Sequence, residues 1–100
     1  AFFIDCCQAV FLNKCKCTDA SETYFGVMVN ASKAVITYST FSNRAAAIGS
    51  TNCAVVYSGA NSGTGNTVGL RADSASTIGK ISTQPAGTTA ELTNGGGEIR

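Results

Sequence analysis

The sequence predicts a mainly β fold: a small antiparallel sandwich or barrel with one short helix, stapled by disulfides. Three observations carry this expectation. Apolar residues alternate with period two in several short runs. Clusters of Gly, Ser, Thr and Asn separate those runs as turns. Five cysteines fall within 100 residues, four of them in the stretch DCCQAVFLNKCKC that starts at Asp5. A chain of this length fits one hydrophobic core, so residues 1–100 are read as a single domain.

Taken in order, "TYFGVMVNA" places Phe25, Val27 and Val29 on one face, which is read as the buried one. "KAVITYSTF" sets Val35, Thr37 and Ser39 opposite Ala34, Ile36 and Tyr38. "CAVVYSG" puts Val55 and Tyr57 beside Cys53. β-Branched and aromatic residues fill all three segments, as a pleated surface favours. The one helix signal is "SNRAAAIGS": Ser42 as cap, Ala45–Ala47 as strong helix formers and Gly49 as stop predict a helix over residues 42–48. From Gly59 onward, "NTVGLRA" and "IGKIST" continue the strand pattern. Hairpin turns are placed near Asn30-Ala31-Ser32, Gly59–Asn66 and Gly87. All eight aromatic residues, Phe2, Phe3, Phe11, Tyr24, Phe25, Tyr38, Phe41 and Tyr57, are assigned to the core.

The cysteines narrow the sulfur chemistry. Cys6 and Cys7 are too close in sequence to join each other without strain, and Cys15 and Cys17 are similarly cramped. The favoured reading is one bridge from the Cys6/Cys7 pair to the Cys15/Cys17 pair and a second from this cluster to Cys53. Four of the five would then be bonded, with the pairing open. Zinc is disfavoured because the spacing is wrong and no His is present. No cofactor or metal is expected. Lys14 and Lys16 beside Cys15 are read as a polar turn.

The absence of His also excludes every mechanism that uses an imidazole base. The carboxylates Asp5, Asp19, Glu22, Asp73, Glu91 and Glu98 are read as solvated charges. "GANSGTGNTVG" breaks the phosphate-loop patterns and reads as a long loop. The protein is therefore expected not to be an enzyme. A net charge of +1, with 13% charged residues, gives no reason to expect nucleic acid as a partner. No apolar run is long enough to span a bilayer, so membrane insertion is not expected. Cysteine usage and a start at Ala1 point to a mature, secreted, extracellular chain. Asn30-Ala31-Ser32 makes Asn30 a glycosylation candidate.

With "DCC" near its start, "CKC" soon after and a Gly/Ser/Thr-rich β body, the chain resembles the small secreted cysteine-rich proteins of plant-associated fungi. The resemblance covers Cys6, Cys7, Cys15, Cys17 and Cys53 and the composition. The odd cysteine count departs from that group's even counts. It implies an effector- or elicitor-like role in fungus–plant interaction, by binding an extracellular protein or glycan. Two alternatives are a secreted antimicrobial or killer toxin and a self-assembling cell-wall or surface protein, the latter distinguished by exposed apolar patches. Unpaired strand edges further predict a homodimer.

Overall fold

The computed structural model describes residues 2–19 and 24–100, and within them the chain coils. Its first level holds β1 (Phe2–Asp5), β2 (Val10–Asn13) and β3 (Lys16–Cys17). The second holds β4 (Phe25–Asn30), β5 (Lys33–Thr37) and β6 (Thr40–Phe41), and the third β7 (Ala46–Thr51) and β8 (Val55–Gly59). The fourth holds β9 (Asn66–Ala72) and β10 (Thr77–Ile81), and the fifth β11 (Gly87–Thr93) and β12 (Glu98–Ile99). Strands stack level upon level: β1-β4-β7-β9-β11 form the first sheet, β2-β5-β8-β10-β12 the second, and β3-β6 a narrow third. Every pairing between these strands is parallel. The result is a β-solenoid of about four turns.

This corrects the expected antiparallel sandwich or barrel. The runs expected to be strands do form strands, but what joins them is a corner leading to another sheet, not a hairpin. Asn30-Ala31-Ser32 carries the chain from β4 in the first sheet to β5 in the second, and the segment from Gly59 to Asn66 carries it round to β9. Alternation specifies which residues share a face, and it is silent on whether the hydrogen-bonding neighbour is next in sequence or one coil away.

The predicted helix at residues 42–48 is also absent, since Ala46–Thr51 is β7, a central strand of the first sheet. There Ala46, Ala47 and Ile48 are all buried between β4 and β9. Two ladders of backbone hydrogen bonds and burial on the inner face outweigh the few tenths of a kcal/mol per residue by which Ala favours helix.

The disulfide scaffold is a third correction. All five cysteines are free thiols. Cys6 and Cys7 sit at the corner after β1, whereas Cys15 and Cys17 lie beyond β2 at the next corner and in β3, so β2 separates the two pairs. Cys53 shares a corner with Cys6 and Cys7 but stands two levels away, about 9.5 Å at the usual strand spacing, beyond the ~7 Å Cα reach of a disulfide. The fold is thus not disulfide-stapled. Unfolding without reductant should expose five alkylatable thiols per chain, and reductant should leave the melting temperature unchanged. Mass spectrometry finding fewer labels would reveal a bridge.

Corners are turned by one residue, or by two in succession as at Asn52-Cys53 and Ser74-Ala75, in the left-handed region. Lys14, Tyr38, Ala60 and Ser82, with φ of 58, 51, 51 and 63°, occupy successive levels of one corner. Cys6, Ala31, Asn52 and Ser74 serve another. At several of these positions a hydrogen bond to the next level offsets the conformational cost: Tyr38 N–H donates to Gly59 C=O at 3.2 Å and Ala60 N–H to Ile81 C=O at 3.3 Å. Inside the corners lie two buried asparagines. Asn61 accepts from Ser39 N–H at 2.9 Å and donates to Ile36 C=O at 2.8 Å and Ser58 Oγ at 2.9 Å. Asn66 accepts from Arg44 N–H and donates to the carbonyls of Phe41 and Ala86. These side chains satisfy backbone groups that the turning chain would otherwise bury unpaired.

Inward columns build the core. In the first sheet one column reads Phe2, Val27, Ile48, Leu70 and Glu91, and in the second Val10, Ala34, Val56 and Ile78. The two ends of the coil differ. At the first level Phe2, Val10 and Leu12 remain apolar, half-buried and packed on the core. At the fifth, Thr89, Glu91 and Thr93 take the column positions of Val68, Leu70 and Ala72 and Glu91 pairs with Lys80, while Ile99, half-buried on the core, carries the second-sheet column on from Ile78.

Candidate functional site

The outward positions of the second sheet form the candidate binding face. Because side chains alternate across a strand, a column of inward residues implies a column of outward ones. The central outward column reads Phe11, Val35, Tyr57 and Gly79. Flanking it are Lys33, Val55, Thr77 and Glu98 on one side, and Asn13, Thr37, Gly59 and Ile81 on the other. Phe11 is 74% exposed, Ile81 56%, Val55 50% and Tyr57 45%. The face is flat, apolar along its middle and polar at its margins.

Two glycines shape it. A Cβ at Gly59 would stand 3.1 Å from the Tyr57 ring and 3.2 Å from Ile81, so the bare glycine lets the ring lie down against the sheet. At Gly79 the nearest atom to such a Cβ is Val56 O at 3.9 Å, and the column is open there. Between Val10, Lys33, Val35, Val55 and Tyr57 runs an apolar groove of about 170 Å³. At one margin Thr37 Oγ1 donates to Asn13 Oδ1 at 3.2 Å.

Assignment of all eight aromatics to the core is therefore overturned. Only Phe41 is fully buried; Phe2 and Phe25 are half-buried, and Phe3, Phe11, Tyr24, Tyr38 and Tyr57 are exposed. In "CAVVYSG" the inward residues are Val56 and Ser58, leaving Val55 and Tyr57 outside. Apolar residues on both faces of "AVFLN" and "AVVYS" hid the parity. The small residues Ala54 and Ser58 flanking Val56 were the available signal, because a narrow coil interior takes small side chains.

The cysteine corner lies beside this face. Cys6, Cys7, Ser32, Lys33, Cys53 and Val55 line an open cleft of about 670 Å³. The Cys6 thiol donates to Asp5 Oδ1 at 3.3 Å. That hydrogen bond, reinforced by the carboxylate's charge, pushes the Cys6 pKa up and keeps the sulfur protonated, the reverse of what a nucleophile needs. Cys17 is buried and Cys15 half-buried, with Lys14 and Lys16 exposed around it. Among the described residues no group of three or more His, Cys, Asp or Glu is placed to hold a metal ion.

The carboxylates are dispersed. Asp73 pairs with Arg71 at 2.7 Å, Glu91 with Lys80 and Glu98 with Arg100 at 2.6 Å. The Arg100 guanidinium holds the Glu98 pKa below its ordinary value, by hydrogen bonding first and charge second. Asp5 accepts from Asn30 Nδ2 at 2.6 Å, and Asn30 Oδ1 accepts from Asn52 Nδ2 at 2.7 Å, a polar ladder running up the corner. In the sequon, Ser32 is buried, donates to Asn30 C=O and accepts from Cys7 N–H. Glu22 lies outside the described residues.

No family model matches this chain, and neither does a curated protein or a solved structure.

Proposed function

We propose that the protein is a non-enzymatic binding module whose second sheet carries an extended, neutral glycan along the coil axis. The observation behind this reading is the placement of Phe11 and Tyr57 in one outward column, two levels apart with Val35 between them. Two levels span about 9.6 Å, which matches the disaccharide repeat of an extended β-1,4-linked glycan. An aromatic ring offers the apolar C–H face of a sugar a large, rigid surface, and the regular strand spacing keeps two such rings in step with a repeating ligand. Lys33, Thr37, Asn13 and Thr77 at the margins supply donors and acceptors for hydroxyls. The net charge of +1 favours a neutral chain over a polyanion.

Calorimetry with cello- and chito-hexaoses tests it. At least one is expected to bind, and Phe11→Ala and Tyr57→Ala should each weaken binding about tenfold, ~1.4 kcal/mol, while thermal melts stay near wild type. Binding to neither sugar, or binding indifferent to both substitutions, would overturn the reading.

A further inference from the structure

The outer face of the second sheet offers two kinds of surface: the aromatic column and, beside it, the groove between that column and the one holding Lys33 and Val55. Apart from Lys33, every residue lining the groove is apolar or aromatic: Ala9, Val10, Ala34, Val35, Val55 and Tyr57. Tyr57 turns its hydroxyl away from it. The ring leans over Gly59, with the hydroxyl 3.5 Å from the place of a Gly59 Cβ, and Gly59 lies along β8 on the side away from Val55. The one charged donor at the groove is the exposed Lys33, one level from Val55. A side group that enters must therefore bring a small apolar end, since a hydroxyl there would give up water for no partner. It must also bring an acceptor for the ammonium at the rim.

We propose that the groove is an acetamide subsite, and that the ligand of this face is a β-1,4-linked chain of 2-acetamido sugars. The inference rests on the reading of the face as a glycan platform and selects among its ligands. An acetamide meets both requirements: its methyl fills the space between Val35 and Val55 while its own sugar lies on Tyr57, and its carbonyl accepts from Lys33 Nζ. Successive units of an extended β-1,4 chain are turned by half a rotation, so acetamides leave on the same side only at every second sugar. That interval is two levels, about 9.6 Å, the separation of Tyr57 from Phe11. The sugar on Phe11 thus sends its acetamide to the same side, where Ala9 lines the groove. The sugar between them, over Val35, sends its own to the opposite margin. There Thr37 Oγ1 donates to Asn13 Oδ1, so its oxygen is left to accept the acetamide N–H.

Calorimetry with three hexaoses tests the subsite: chitohexaose, cellohexaose and the cationic glucosamine hexamer in weakly acidic buffer. Chitohexaose is expected to bind at least about tenfold more tightly than either of the others. Val55→Thr trades a methyl for a hydroxyl at constant shape, and Lys33→Met keeps the stem and removes the donor. Each should shrink the ratio of chitohexaose to cellohexaose affinity about threefold or more, with circular dichroism and thermal melts checking that both variants fold. The contact itself gives a readout free of substitutions: acetyl methyl protons of bound chitohexaose should show nuclear Overhauser effects to the Val55 methyls. Cellohexaose or the glucosamine hexamer binding as tightly as chitohexaose, with Phe11→Ala and Tyr57→Ala still weakening both, would overturn the acetamide subsite and leave the platform standing. A chitohexaose preference undiminished by both Val55→Thr and Lys33→Met, or methyl contacts that avoid Val55, would likewise overturn it. Binding to none of the three would remove platform and subsite together.

Discussion

Replacing Asn61 by Ala is expected to cost about 2–4 kcal/mol, because it strands two buried backbone groups at once. Asn61 is fully buried, and its amide is the partner of Ser39 N–H and Ile36 C=O while also bonding Ser58 Oγ. Alanine removes all three bonds and admits no compensating solvent. For a domain of this size such a loss lowers the melting temperature by roughly 10–30 °C. Asn61→Asp separates the contributions: it keeps the acceptor for Ser39 but turns an oxygen toward the Ile36 carbonyl, so it should also destabilise at neutral pH. A thermal melt of Asn61→Ala within about 2 °C of wild type would show that the corner does not depend on this side chain.

The second large effect is expected from a single added methyl. Gly63 has φ of 138°, a region that residues with a Cβ essentially do not enter, and the Cβ would fall on the Phe41 carbonyl. Neither the strain nor the clash can be relieved by rotating a side chain, since both partners are backbone. Gly63→Ala should therefore cost at least about 3 kcal/mol. Two other glycines calibrate that number. Gly65, with φ of 75°, would direct its methyl at the movable Asn43 amide, and a penalty of ~1–2 kcal/mol follows. Gly79 has open space, and alanine there should fall within about 0.5 kcal/mol of neutral. Urea titration of the three variants checks the order, and a Gly63→Ala midpoint no lower than that of Gly65→Ala would refute the backbone account.

Strand content was legible in the sequence, because β4 announces its inner face: Val27 and Val29 are buried as their alternation implies, whereas in β5 the alternation separates Ala34 and Ile36 from Val35 and Thr37 without saying which side faces in. The coil was not. Partners such as Val27 and Ile48 are 21 positions apart, and their spacing drifts to 25 between Phe2 and Val27, so no fixed period marks the levels. Corners were masked for a related reason. Tyr38, Ala60 and Ser82 adopt the left-handed conformation that the eye seeks at glycine. The candidate face failed to show because its aromatics sit in runs apolar on both sides, where only the small inward neighbours Ala54 and Ser58 mark the narrow interior. Ala45–Ala47 misled through intrinsic propensity, which a central strand position overrides.

Stacking of near-equivalent levels has a consequence for how this protein can change its size. Each level touches chiefly the ones before and after it, as in any quasi-one-dimensional array, so stability approximates a sum of level and junction contributions. Duplicating the 22 residues from Ala46 to Thr67, the interval between Ala46 and its stacked partner Val68, would insert one more storey in register, with a buried corner asparagine reproduced in kind. Neither end would register the change. The outward column beside Tyr57 would lengthen by about 4.8 Å per storey, so the reach of this exposed face is set by counting levels, with no redesign of any one of them.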